Sequence, residues 1–408
     1  MGKIKISQNN VKLIDFIPAL SGLIGKTALV TSFAVVWAAQ LNITNPDFVF
    51  ENVRIEMIIG SIITVLSALL LPNTAPSGTL APLIVLIPVM AKVGVHPFIL
   101  SIMVGLIGLI SIKTKLFHSL VTLSGSISKT SLTLTFGISG VLLSLKNLTN
   151  FYEDRHTPLF LLITLLMVIY FFLRKWNKLW LIVPVAAIVS VLVSTIFGIS
   201  FGNVKNITLP SFNPSYWWNE MWGIGFGFDL ITIIKTLPFA FFVLLLWAID
   251  TVSITTMLDA TYQPDEKREE INLNHSFIIT SLRNMIGGIF GGAQTSALWR
   301  SFLIPLFLVK RPLRPASIIM GILGIVAGFT AIPIKILSFP PLVWSVLLFG
   351  IFLPFVMVGL KNLVETKRLS HKISILIFVI SGVLISPIVT WVSATLYEKI
   401  TCKLNKMD

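Results

Sequence analysis

The sequence predicts an all-α polytopic membrane protein of about 14 transmembrane segments, arranged as two inverted seven-segment repeats with broken segments 3 and 10. Composition, apolar runs of spanning length and the alternation of basic residues along the chain carry that prediction. Of 408 residues, 55% are hydrophobic and 12% are charged, against roughly 25% charged in a soluble domain. So apolar a chain cannot cover itself with a water-compatible surface. Its start, MGKIKISQNN, is basic, but no cleavage site follows the first apolar run. That run therefore reads as a membrane helix rather than a removable signal.

A spanning helix needs about 20 mostly apolar residues. Candidate segments fall at 13–40, 53–71, 76–92, 96–112, 119–145, 157–173, 179–198, 230–260, 277–290, 295–309, 315–333, 337–360, 373–386 and 388–400. Those at 76–92, 277–290, 295–309, 373–386 and 388–400 are too short to cross alone and read as half-helices or re-entrant pieces. Cytoplasmic connections hold excess Lys and Arg. With the N-terminus inside and strict alternation, 20 of the 31 Lys and Arg residues fall inside and seven outside. Lys26, Lys129, Arg283 and Arg300 remain within spans. The net charge of +14 is thus a topology signal and implies no nucleic-acid partner. Both termini are expected in the cytoplasm, and the Ile, Lys and Asn bias points to a bacterial inner membrane.

The longest polar connection, about 199–228, falls outside and carries Trp217, Trp218 and Trp222, residues that suit a membrane–water interface. It divides one transmembrane domain, 1–408, into repeats at 12–200 and 229–400. Seven segments per half is an odd number, so the second half enters from the opposite side. Segment 3 opens with Pro72-Asn73-Thr74-Ala75-Pro76-Ser77-Gly78-Thr79. Segment 10 opens with Gly287-Gly288-Ile289-Phe290-Gly291-Gly292-Ala293-Gln294-Thr295-Ser296. Matched interruptions of this kind point to a midplane binding site. Non-helical backbone at membrane depth survives only against protein or a water-filled cavity. A short helix following each break would aim free N–H groups and the positive dipole end at an anion or polar acceptor. The alternative is that the small residues serve close helix packing.

Ionisable residues inside the bilayer are costly and usually functional. Lys26 lies mid-span in segment 1 and Asp250 in segment 8, which are equivalent members of the two halves. Asp250 reads as a carboxylate that couples transport to H⁺ or Na⁺, or as a structural partner of Lys26. Arg300, expected about one turn into segment 10, reads as a fixed positive charge at an anion site, or as one paired with an acidic neighbour. Lys129 and Arg283 read as structural or close to the interface, Asp259 as interfacial and His96, before Pro97, as a helix cap. Cys402 alone supports no disulfide or cysteine metal site. No nucleophile triad, metal-ligand cluster or phosphate loop is present, so nothing points to an enzyme, a metal or an organic cofactor.

The pattern resembles the fourteen-segment fold shared by the sulfate permease (SulP) anion transporters, the bicarbonate transporters and the uracil/xanthine permeases. Thr74–Pro82 (TAPSGTLAP), Asp250 and Gly291–Ser301 (GGAQTSALWRS) carry the resemblance. Pro18-Ala19-Leu20-Ser21-Gly22 and Glu51-Asn52-Val53-Arg54 are similar to an uncharacterised bacterial family of this group. The resemblance implies a secondary active transporter of a small anion, either an inorganic oxyanion or a carboxylate. Segments 1–4 and 8–11 would form a moving core, and segments 5–7 and 12–14 a gate and a homodimer contact. Ser77, Gly78, Thr79, Thr295, Ser296 and Ala297 would supply donors, Arg300 charge, and Asp250 with Lys26 the coupling. Segment 10 lacks the glutamate expected of uracil permeases, which favours the SulP pattern. The C-terminal soluble domain usual in SulP proteins is not expected before Asp408. A nucleobase:cation symporter, an anion channel and a non-transporting scaffold remain as alternatives.

Overall fold

The computed structural model describes residues 11–71, 73–114, 119, 123–153, 155–199, 208–261 and 271–404, excepting the side chains of 252–261 and 402–404. Each of the fourteen expected segments has a helical counterpart. Segments 1 to 7 are Phe16–Leu41, Phe48–Leu70, a 3₁₀ turn Ala81–Leu86 continued by Ile87–Val93, Pro97–Thr114, Ser126–Tyr152, His156–Lys175 and Ile182–Ile196. Segments 8 to 14 are Leu230–Thr261, Leu273–Ile289, Arg300–Leu308, Leu313–Thr330, Pro340–Glu365, Leu369–Leu384 and Pro387–Leu404. Among the described residues, nine helices are long and apolar enough to cross a membrane. Segments 3 and 10 are short because extended backbone replaces their first turns. Segment 12 crosses with a π turn at Leu348–Phe352.

The helix packing repeats itself with a shift of seven. Segment 4 lies along segment 9, and segment 11 lies along segment 2. Segment 8 touches segment 4 as segment 1 touches segment 11, and segment 5 touches segment 14 as segment 12 touches segment 7. The two closest helix pairs use the same device. A Cβ on Gly105 would come 2.6 Å from the Ser281 carbonyl oxygen, and one on Gly321 would come 3.0 Å from that of Ser61. Small residues let membrane helices approach until their backbones touch. Outward faces are apolar: Phe160, Phe171, Ile231 and Leu384 are all exposed. Such faces suit lipid and make this an integral membrane protein.

The tryptophans of the connection between the halves pack against the protein. Trp217 and Trp222 are buried, and Trp222 packs edge-on against Phe48 and Phe98. Trp218 and Trp222 donate their indole N–H groups to the carbonyls of Ile289 and Gly291. The indoles cap carbonyls freed at the end of segment 9.

Candidate functional site

Two lengths of extended chain meet between segments 1 and 8. Asn73 takes a left-handed turn at φ 62°. The Asn272 N–H donates to the Asn73 carbonyl at 2.8 Å, and the Ala75 N–H donates to Ser276 Oγ at 2.9 Å. Beyond this anchor the two breaks run antiparallel. Gly78 N–H donates to the Ala297 carbonyl at 2.7 Å, and Ala297 N–H donates back at 3.3 Å. Leu80 N–H reaches the Thr295 carbonyl at 2.9 Å, and Trp299 N–H reaches that of Pro76 at 3.2 Å. Gly78 is required at the crossing, since a Cβ there would lie 2.6 Å from the Trp299 Cα. The flanking helices fasten the pair. Trp247 of segment 8 donates to the Ser296 carbonyl at 2.9 Å, and Trp299 donates to the Gly22 carbonyl of segment 1 at 3.2 Å.

This crossing corrects the expected donor set. The backbone N–H groups of Gly78 and Ala297 bond each other instead of facing a ligand. The Ser296 N–H is held by Asn284 Oδ1 at 2.7 Å, and the Thr79 hydroxyl bonds the Gln294 side-chain carbonyl. The reason is general. Buried backbone must find partners, and each break is the other's nearest one. Thr295 contributes its carbonyl to the ladder. The hydroxyls of Ser77 and Ser296 are buried and have no hydrogen-bond partner among the described residues.

Arg300 is the first residue of the segment 10 helix, not one turn inside it. Its guanidinium therefore sits at the helix N-terminus, where the dipole adds positive potential. It forms an ion pair with Asp250 of segment 8 at 2.9 Å, and its guanidinium carbon lies 4.6 Å from the Phe355 ring centre. Both side chains are only partly buried, at 26% and 12% exposure. They line a cavity of about 30 Å³ together with Pro82, Phe136, Leu246 and Phe355. That is room for one or two waters. The cavity lies where segments 3, 8 and 10 face segments 5 and 12, the boundary between the expected core and gate.

Lys26 does not join Asp250. It is fully buried in segment 1, with Nζ 4.2 Å from the Trp299 ring centre and no hydrogen-bond partner among the described residues. Arg283 has the structural setting expected of it. It is buried and paired with Glu56 of segment 2, which is equally buried. Glu56 also accepts from the Gln294 amide at 2.7 Å. The two sequence-flagged cations of segments 1 and 9 thus share a second polar cluster with Glu56, Gln294 and Thr79. Asn52 holds the left-handed turn of segment 10, donating to the Gly291 carbonyl at 2.8 Å and accepting from the Ala293 N–H at 3.2 Å. Arg54, in the same motif, donates to the Gly328 and Thr208 carbonyls. His96 caps segment 4 through its backbone carbonyl, which accepts from Leu100 N–H. Its ring packs on Phe98. Asp259 and Cys402 lie outside the described side chains.

Fourteen segments in two matching halves, with extended breaks that cross at segments 3 and 10, make a membrane fold that this chain shares with solved anion transporters. The transmembrane domain of a cyanobacterium bicarbonate transporter, BicA, aligns with a TM-score of 0.61 at 16% identity, covering 94% of this chain and 99% of that one. The anion transporter SLC26A9 of mouse, in its inward-facing state, aligns with a TM-score of 0.59 at 11% identity, covering 99% of this chain and 70% of that one. A further SLC26A9 structure gives 0.60 at 13%, covering 96% and 65%. At these identities the likeness is one of fold. The chain itself belongs to the family described as "Protein of unknown function (DUF3360)", whose match spans residues 7–403. No curated protein matches it.

Proposed function

We propose that the protein is a secondary active transporter of a small anion, an inorganic oxyanion or a carboxylate, working by alternating access. The observation that carries this reading is the Arg300–Asp250 pair, set at a helix N-terminus and open to a cavity between two helix groups. The aligned structures named above, a bicarbonate transporter and an anion transporter, support it.

The geometry supplies a coupling logic. The Asp250 carboxylate occupies the position on Arg300 that an external anion needs. Two unit charges a few Å apart at a partly exposed site attract by on the order of 4 kcal/mol, enough to keep a weakly held anion out. A proton or Na⁺ on Asp250 removes that competitor and frees Arg300. Anion and cation then enter together. Once the anion leaves, the internal pair reforms and closes the cycle. Segments 1–4 and 8–11 would move as the core against a gate of segments 5–7 and 12–14. The gate would also carry a homodimer contact, with both termini in the cytoplasm of a bacterial inner membrane.

The test is uptake into proteoliposomes of hydrogencarbonate, sulfate, nitrate, chloride, formate and uracil, under imposed proton or sodium gradients. The reading predicts saturable uptake of at least one anion, driven by one gradient. Saturable uptake of uracil alone supports the nucleobase symporter. Non-saturating conductance supports a channel, and no flux at all contradicts transport of these classes.

A further inference from the structure

Beside the crossing, four side chains that do not line the cavity form one chain of hydrogen bonds. The Thr79 hydroxyl bonds the Gln294 carbonyl oxygen, the Gln294 amide donates to Glu56, and Glu56 is clamped by Arg283. All four are buried. The chain joins the break of segment 3 to that of segment 10 and ties both to segments 2 and 9. Its direction is fixed by chemistry. An ionised carboxylate only accepts, so Glu56 must take the NH₂ end of Gln294. The carbonyl end is then left for Thr79, which must donate to it. Lys26 brings its amino group beside Arg283, since both approach the space over Gly60.

We infer that Glu56 is a positioning residue. Held by Arg283, it fixes through Gln294 how the two breaks cross and turns the Thr79 hydroxyl hydrogen away from any substrate. Glu56 touches no ligand itself. It sets the shape of the crossing from which Arg300 projects, and so governs substrate affinity more than turnover. This rests on the carrier reading only in its last clause.

The experiment compares the wild type with Glu56→Met/Arg283→Met and with Gln294→Met, each in detergent and in proteoliposomes. Replacing both members of a buried ion pair by apolar groups of similar size is often neutral for stability, so the double variant tests position rather than charge. Gln294→Met leaves the ion pair intact and cuts only the link. In both variants the Gly78 and Leu80 amides should exchange with deuterium at least about 10-fold faster, a loss of roughly 1.4 kcal/mol of local protection. Amides of segments 5 and 14 should exchange as before. With sulfate, hydrogencarbonate and formate as probes, KM should rise by about the same factor while maximal rate changes little. Unchanged Gly78 and Leu80 exchange in Gln294→Met overturns the inference, as does a fall in maximal rate at constant KM. If the exchange result holds but the wild type moves none of the probes, the positioning role stands and the carrier reading fails.

Discussion

Two of the charged pairs among the described residues are built for different work, although each joins a residue of segment 9 or 10 to a facing helix. Arg300–Asp250 is partly exposed, borders a cavity and faces the second helix group. Arg283–Glu56 is sealed and is locked by Gln294. A partly exposed pair beside a cavity can change partners, because water or an incoming ion can replace what is lost. Breaking a sealed pair leaves an uncompensated charge and costs several kcal/mol. The first pair is therefore suited to opening and closing in a cycle, and the second to holding a shape.

The sharpest way to break that contrast is Arg300→Ala. It should lower anion uptake by about 100-fold, the scale of removing one partner of a functional charge pair. Arg300→Lys should recover part of it, because charge returns without the planar fork. Next is Asp250→Asn. With no carboxylate to compete, the anion should bind about 10-fold more tightly, and uptake should lose its response to the proton or sodium gradient. Retained gradient dependence in Asp250→Asn would remove Asp250 from the coupling role.

The outline of this fold is legible because its determinants are local. Spanning length, the inside excess of Lys and Arg, and paired Gly, Pro and Ser interruptions each mark a segment without knowledge of the others. Asp250 and Arg300 stand out for the same reason, as charges in apolar runs. What they pair with is not local. Segment 1 and segment 8 are equivalent by repeat, which suggests Lys26 and Asp250 as partners, but the crossing of segment 10 brings Arg300 to Asp250 and leaves Lys26 on Trp299. Glu56 is hidden for another reason. Read as starting at 53, segment 2 puts Glu56 at a wet end, whereas the helix starts at Phe48 and carries it into the core. A signal was present: Glu56 and Arg283 are opposite charges in segments 2 and 9, which are equivalent positions of the two halves. That the Gly78 and Ala297 N–H groups bond each other was not legible, because sequence shows which backbone is extended, not which partner it finds.

A smaller effect tests the crossing itself. Gly78→Ala forces a methyl group against the Trp299 backbone, and overpacking of this kind costs about 1–3 kcal/mol. The apparent Tm in detergent should fall, with uptake falling in parallel. The smallest effect lies outside the membrane. Burial pushes the His96 imidazole below its ordinary value of 6.5, partly offset by the Ile224 and Gly225 carbonyls and Asp229. The unfolded chain then binds a proton more readily than the folded one, so stability is full above pH 6.5 and declines as pH falls through it. Apparent Tm should drop modestly on acidification from pH 7.5 to 5.5, and His96→Leu should flatten that part of the profile.

The central claim, that Arg300 opens an anion site, is tested most directly by thermal stabilisation of the detergent-purified protein. Wild type and Arg300→Ala would be heated with each anion and with uracil, at matched ionic strength and pH. A ligand that binds only the native state raises stability by mass action, by about 2.7 kcal/mol at 100 times its Kd. The predicted result is a saturable rise in apparent Tm with one or more anions in the wild type, absent from Arg300→Ala. Equal stabilisation of both proteins by the same anion, or stabilisation by uracil alone, would contradict it.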